Sequence, residues 1–218
     1  MSQVRGGTRW KRFAVVMVPA VAATAAIGVG LAQGALAASF AVSGQEFKVK
    51  AGHLDGRGFA QYGGVDLGYA DLKGDAKTAH PVAISTFKNA TINNMCQSVV
   101  TDVPLIGKIT LQLKAGEGKT PVSAENLYLD VSELKADAEF TNIDIGVATK
   151  NVGDPKTGGK GPAVKDGSVL ENGFAQQADR AVLDNVEQKA WATTAGTFKL
   201  SGLQMKLLKG SGAGVECY

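Results

Sequence analysis

The chain has 218 residues, with 23 Lys+Arg against 20 Asp+Glu and a formal net charge of +3. Arg5, Arg9, Lys11 and Arg12 all precede the first acid, and without these four the balance is 19 to 20. A basic excess confined to the N-terminus gives the rest of the chain no electrostatic reason to bind nucleic acid or an anionic membrane strongly.

Those cations open a recognisable pattern. Phe13 to Ala32 runs 20 residues without a charge, and Ala35-Leu36-Ala37 follows. A positive head, an apolar middle and an A-x-A site predict a secretory signal over residues 1–37, cut between Ala37 and Ala38. Twenty apolar residues also suffice to span a bilayer, so a retained anchor is the alternative. The run is rich in Ala, short of Leu, and interrupted by Pro19, Gly28 and Gly30. No Arg-Arg pair marks a twin-arginine signal, and no Cys near the site marks a lipoprotein. The expected location is outside the cytoplasmic membrane, extracellular or on the cell surface. Membrane contact would run through the N-terminal segment if it is uncut. Residues 38–218 suffice for one domain, or two small halves, with a real core.

That portion reads as strands. Phe47-Lys48-Val49-Lys50 alternates apolar and polar residues, as does Ile109-Thr110-Leu111-Gln112-Leu113-Lys114. Leu127-Tyr128-Leu129-Asp130-Val131 repeats the pattern, and so does Phe140-Thr141-Asn142-Ile143-Asp144-Ile145. Period-two alternation marks strands with one buried face. Thr149 to Ser168 holds five Gly, two Pro and four Lys, which predicts an exposed loop or a linker between halves. Gln176 to Ala192 fits either a helix or a strand, and Val182, Val186, Ala190 and Ala192 on one strand face favour the strand. Cys96 and Cys217 are the two cysteines. In an exported protein an even count predicts a disulfide, here one that would hold the C-terminus.

The chain also echoes itself. Gly58-Phe59-Ala60-Gln61 recurs as Gly173-Phe174-Ala175-Gln176, followed by Thr86-Phe87-Lys88 and Thr197-Phe198-Lys199 respectively. Phe40-Ala41-Val42-Ser43-Gly44 resembles Phe198-Lys199-Leu200-Ser201-Gly202, and Asp71 to Ala76 resembles Glu133 to Ala138. The echoes suggest reuse of a strand-turn-strand unit. The predicted fold is all-β with internal duplication: a curved sheet, a sandwich or a solenoid of strands.

Phe40 to Gly44, Leu54-Asp55-Gly56-Arg57-Gly58-Phe59-Ala60-Gln61-Tyr62, and Ala190-Trp191-Ala192-Thr193-Thr194-Ala195-Gly196-Thr197-Phe198 resemble an uncharacterised family of exported proteins from filamentous actinobacteria. Some of its members carry the label cholesterol esterase. The resemblance implies an envelope or extracellular location and carries no catalytic residues over.

The residues give an esterase little support. A serine esterase of the α/β type needs a G-x-S-x-G elbow, which the chain lacks; Gly210-Ser211-Gly212-Ala213-Gly214 imitates it and reads as a flexible tail. A triad needs a His base. His53 lies in a turn-like stretch and His80 precedes Pro81, so both read as surface or turn residues. Two His and two paired Cys make a poor zinc site, and no other cofactor is indicated. Asp71 with Asp75, and Asp130 with Glu133, read as solvated faces rather than a catalytic carboxylate pair. The sequence therefore predicts an exported β-rich binding or structural protein. One version presents an apolar inner face to a lipid-like ligand, with an aliphatic bias and few aromatics as its motive. Another self-associates through strand edges, or with an envelope partner, and a secreted ester hydrolase on an unusual β scaffold is the third alternative.

Protein released by its host is expected to begin at Ala38 or within a few residues of it. Intact-mass measurement checks this, and a mass that retains residues 1–37 assigns the anchored form.

Overall fold

A computed structural model describes residues 43–69, 77–165 and 169–218. The signal segment with Ala35, Ala37 and Ala38, the echo copies at 40–42 and 71–76, and Asp71 and Asp75 lie outside the described residues.

Nine strands are described. They are β1 (Phe47–Tyr69), β2 (Lys77–Asn93), β3 (Met95–Val103), β4 (Gly107–Ala115), β5 (Val122–Thr141), β6 (Asp144–Ala148), β7 (Phe174–Thr194), β8 (Thr197–Lys199) and β9 (Gln204–Lys209). Every pairing is antiparallel. β1 pairs with β2, β2 with β5, β5 with β7, and β7 returns to β1. The curved sheet thus closes on itself as a small barrel of four long strands, and is neither a sandwich nor a solenoid. Gln176–Ala192 falls wholly within β7. The Phe140–Ile145 alternation is split: β5 ends at Thr141, Asn142 takes φ 51°, and β6 starts at Asp144.

Four strands can close only if each coils sharply. The means are residues with positive φ inside the strands: Gly58 in β1 (63°), Asn126 in β5 (48°) and Asn185 in β7 (53°). Gly and Asn are the residues that enter this region at least cost. Each such residue turns the strand locally and reverses which side chains point inward, without a register shift at Gly58 or Asn126; opposite Asn185 the β5–β7 register also shifts, between Lys135 and Asp137. Ala124 and Leu127 are both interior, as are Leu183 and Val186, at a separation of three residues rather than two. At Gly58 an added Cβ would lie 2.8 Å from the Lys88 side chain and 2.9 Å from the Lys160 carbonyl oxygen, so a larger residue fails sterically as well as conformationally.

The interior holds Leu54, Phe59, Phe87, Ile92, Leu127, Leu129, Leu183 and Val186. Phe59 packs against Phe87 and Phe140 with ring centroids 5.4 and 5.2 Å apart. Full burial of each such side chain stabilises by about 1.5–3 kcal/mol. The closing seam between β1 and β7 carries polar rungs: a bidentate Arg180–Asp55 pair at 2.8 and 2.7 Å, and Lys50–Glu187 at 3.0 Å. Arg180 holds the Asp55 carboxyl below its ordinary range. Two copies of the Gly-Phe-Ala-Gln echo meet at this seam, where Gln176 Nε2 donates to Gln61 Oε1 at 2.7 Å.

The segment after β6 contains two 3-10 turns, Thr149–Asn151 and Pro155–Thr157. It is exposed at Pro155–Gly158 but packs at both ends, where Thr149, Val152, Gly161 and Lys165 are buried. Gly161 lies so close to the barrel that a Cβ would sit 2.5 Å from that of Ala60. Under this segment, on the outer face of the barrel, is a second core of Ala60, Tyr62, Val82, Ile84, Tyr128, Val152 and Ala175.

Beyond the barrel, β3, β4 and β9 extend the sheet from the start of β1 as a wing. The C-terminal residues fold back over its outer face. Cys217 is bonded to Cys96 with Cα atoms 5.7 Å apart, as the cysteine count predicted. Lys48 Nζ lies 2.8 Å from Glu216 Oε2, Gln112 Nε2 donates to Val215 O at 3.0 Å, and Thr110 Oγ1 donates to Gly210 O at 2.7 Å. Gly210–Gly214 is consequently not a flexible tail. The Gly210 N–H donates to Lys108 O, and the Val215 and Glu216 N–H groups both donate to Gly212 O.

Reduction, or Cys217→Ser, is expected to cost about 2–5 kcal/mol of stability. Amide exchange should then rise in residues 210–218 and β4 before it rises in β5. Simultaneous exchange of both regions would mean that the bridge does not hold the wing.

Candidate functional site

Register shows how the inner face continues. Gln188 pairs with Val49, Val49 with Gln97, Gln97 with Leu113, and Leu113 with Met205. Directly paired residues share a face, so one row crosses β7, β1, β3, β4 and β9 on the side that lines the barrel. The adjoining wing pairs, Val99–Leu111 and Leu111–Leu207, are apolar too. Met205 and Leu207 are exposed, as are Leu105 and Ile106 at the tip of the β3–β4 hairpin. Within the barrel, a cavity of about 160 Å³ opens beside Leu134, Ala136, Ala138 and Phe140 of β5. Leu54, Phe59, Phe87, Leu129 and Leu183 line it, with Gln61, Ser85 and Gln188 as its polar groups.

A different chemistry lies on the outer face. Asp66 of β1 and Asp130 of β5 both point outward, and the chain after Gly161 brings Lys165 onto them. Lys165 Nζ donates to Asp130 Oδ2 at 2.6 Å and to Asp66 Oδ1 at 3.4 Å. All three residues are buried, at 5% exposure for Asp66, 1% for Asp130 and 4% for Lys165. Tyr62 and Tyr128 position the lysine-bearing segment. The Tyr62 hydroxyl accepts the Lys165 backbone N–H at 3.1 Å, and the Tyr128 hydroxyl donates to Ala163 O at 2.8 Å. His80 pairs with Asp66 across β1 and β2 and lies against Trp191, with ring centroids 3.8 Å apart and the planes tilted by 31°. Asp66 Oδ2 and Asp130 Oδ1 have no hydrogen-bond donor among the described residues. Burial, helped by the neighbouring Asp66, pushes the Asp130 carboxyl up to about 6 against the opposing pull of Lys165. The same burial raises the Tyr62 hydroxyl.

The sequence-derived candidates fall out as follows. Cys96 and Cys217 come together. Asp130 and Glu133 do not form a pair: Glu133 is exposed and bound to Lys189 at 2.5 Å, whereas Asp130 is buried. The solvated-face reading holds for Glu133 and fails for Asp130. His53 lies in β1, not a turn, with Nδ1 2.7 Å from Asp184 Oδ1 on an exposed rung. His80 is buried rather than superficial. Lys165 and Asp66 went unnoticed in the sequence. Lys165 sits in a Gly/Pro/Lys-rich stretch that reads as exposed, and Asp66 is a single polar residue between Val65 and Leu67.

A family model matches residues 43–218, which span β1 to the C-terminus. The chain belongs to DUF6230, a family of unknown function. No curated protein and no solved structure matches it. For this DUF6230 member the site must therefore be read from its own residues.

Lys165→Ala would leave two carboxylates in an apolar surround. It is expected to cost about 3–5 kcal/mol, the usual penalty for removing one partner of a buried ion pair, read as a fall in the urea midpoint. A loss under about 1 kcal/mol, the level of exposed pairs, would show that water reaches the cluster.

Proposed function

We propose that this protein works outside the cytoplasmic membrane as a binding protein whose inner face takes a lipid-like apolar ligand. The observation that carries the reading is the 160 Å³ cavity, lined mainly by Leu and Phe and opening beside the exposed side chain of Leu134. Apolar cavities of about 150 Å³ hold a small hydrocarbon such as benzene, so this one suits the end of an acyl chain rather than a whole lipid. The disulfide supports an oxidising, extracytoplasmic setting. The predicted signal at 1–37 supports the same location, as does the family resemblance.

A second reading, assembly between copies, draws on β9. It forms the end of the sheet and exposes Met205 and Leu207 beside its backbone edge. An apolar edge of this kind invites strand pairing.

Protein purified from its host should release a lipid-like molecule on organic extraction, detected by mass spectrometry. A fluorescent fatty acid should bind the wild type and Leu207→Asp equally, and fail to bind Ala138→Trp, which blocks the cavity mouth. Absence of binding, together with a concentration-dependent dimer that Leu207→Asp abolishes in sedimentation, would replace the ligand reading with the assembly reading.

A further inference from the structure

The Lys165–Asp130–Asp66 cluster plays no part in ligand binding at the inner face, and its arrangement exceeds what an ion pair requires. Two ionised partners in a dry site are costly, by several kcal/mol per ion before their attraction is counted. One lysine also cannot neutralise two carboxylates. Moving a proton from the ammonium to Asp130 relieves the first problem, because three buried charges become one: a neutral amine lies against a neutral carboxylic acid and Asp66 alone stays ionised. Asp130 is already displaced toward that state. The donorless oxygens of Asp66 and Asp130 leave room for such a proton. An amine and an acid held at 2.6 Å without intervening water are reactants at high effective concentration.

We propose that Lys165 and Asp130 condense to an intramolecular isopeptide bond between β5 and the segment that covers the outer core, with Asp66 as the proton carrier. The neutral Nζ of Lys165 attacks Cγ of Asp130, forming the C–N bond. The Asp66 carboxylate takes a proton from the nitrogen and returns it to a hydroxyl of the tetrahedral intermediate. The C–O bond then breaks and one water leaves. Lysine amine plus aspartic acid give amide plus water, Asp66 ends as the carboxylate it began as, and no oxidant, nucleotide or metal is consumed. A shallow cleft lined by Lys165, Ala163 and Val164 borders the site and gives the water an exit. The bond would staple residue 165 to β5 on the outer face, as the disulfide staples residue 217 to β3 on the wing.

The test is the mass of the wild-type full chain, reduced and denatured, followed by peptide mapping. The expected result is a chain lighter by one water than its sequence. Digestion should yield a branched peptide that joins the Asp130 segment to the Lys165 segment. Lys165→Arg and Asp130→Ala should each return the full sequence mass. Asp66→Ala keeps both reacting groups and should lose the bond, or form it far more slowly after refolding. A wild-type chain at full mass, with Lys165 acetylated by an amine reagent under denaturing conditions, overturns the proposal. So does a water loss confined to one linear peptide, such as a succinimide at Asp55-Gly56. An Asp66→Ala chain that cross-links as fast as the wild type removes Asp66 from the step. Because the wild-type chain decides the main question, no variant has to fold for the answer to be read.

Discussion

Closure of the sheet between β1 and β7 is the constraint from which the other features follow. Hydrogen bonding along this seam divides the molecule into an inside and an outside, and it removes two strand edges that would otherwise be open. It also forces the coiling that Gly58, Asn126 and Asn185 supply. A β-branched residue at any of these three would oppose the backbone conformation that lets four strands form a ring.

The closed ring sorts the side chains into two cores of different character. Inside, Phe and Leu from all four strands fill the space around a remaining cavity. Outside, a strand face that would normally meet water is covered by the segment after β6, and polar groups on that face become buried. Asp66 and Asp130 thus acquire Lys165 as a partner, and Tyr62 and Tyr128 use their hydroxyls to hold the segment in place. Burying a charged cluster is a weak route to stability in itself. It is better understood as fixing where the covering segment lies, and a covalent bond there would make that position permanent.

The wing is covered on the same side but has nothing opposite its inner face among the described residues. Its outer face is covered by the C-terminal residues through Cys217, Glu216 and Val215, while its inner face, continuous with the barrel lining, keeps Met205 and Leu207 exposed. Covering the outer face in both halves of the sheet leaves the inner face continuous from the barrel to the wing. Both functional readings rest on that inner face.

Local periodicity gave the all-β class, the strands at Phe47, Ile109 and Leu127, and the preference for strand over helix at Gln176–Ala192, because alternation depends only on which faces are wet and dry along one segment. The cysteine pair was legible because two cysteines in an oxidising setting allow one intramolecular bridge. Closure into a barrel was not legible, since it depends on how the positive-φ residues of distant strands add their curvature. The burial of Asp130 escaped for a related reason. Its place between Leu129 and Val131 says correctly that it points away from the inner core. Whether that side meets water depends on a segment 35 residues later, whose Gly, Pro and Lys content reads as solvated. Sequence period determines the direction of a side chain, and only the tertiary structure decides what covers it.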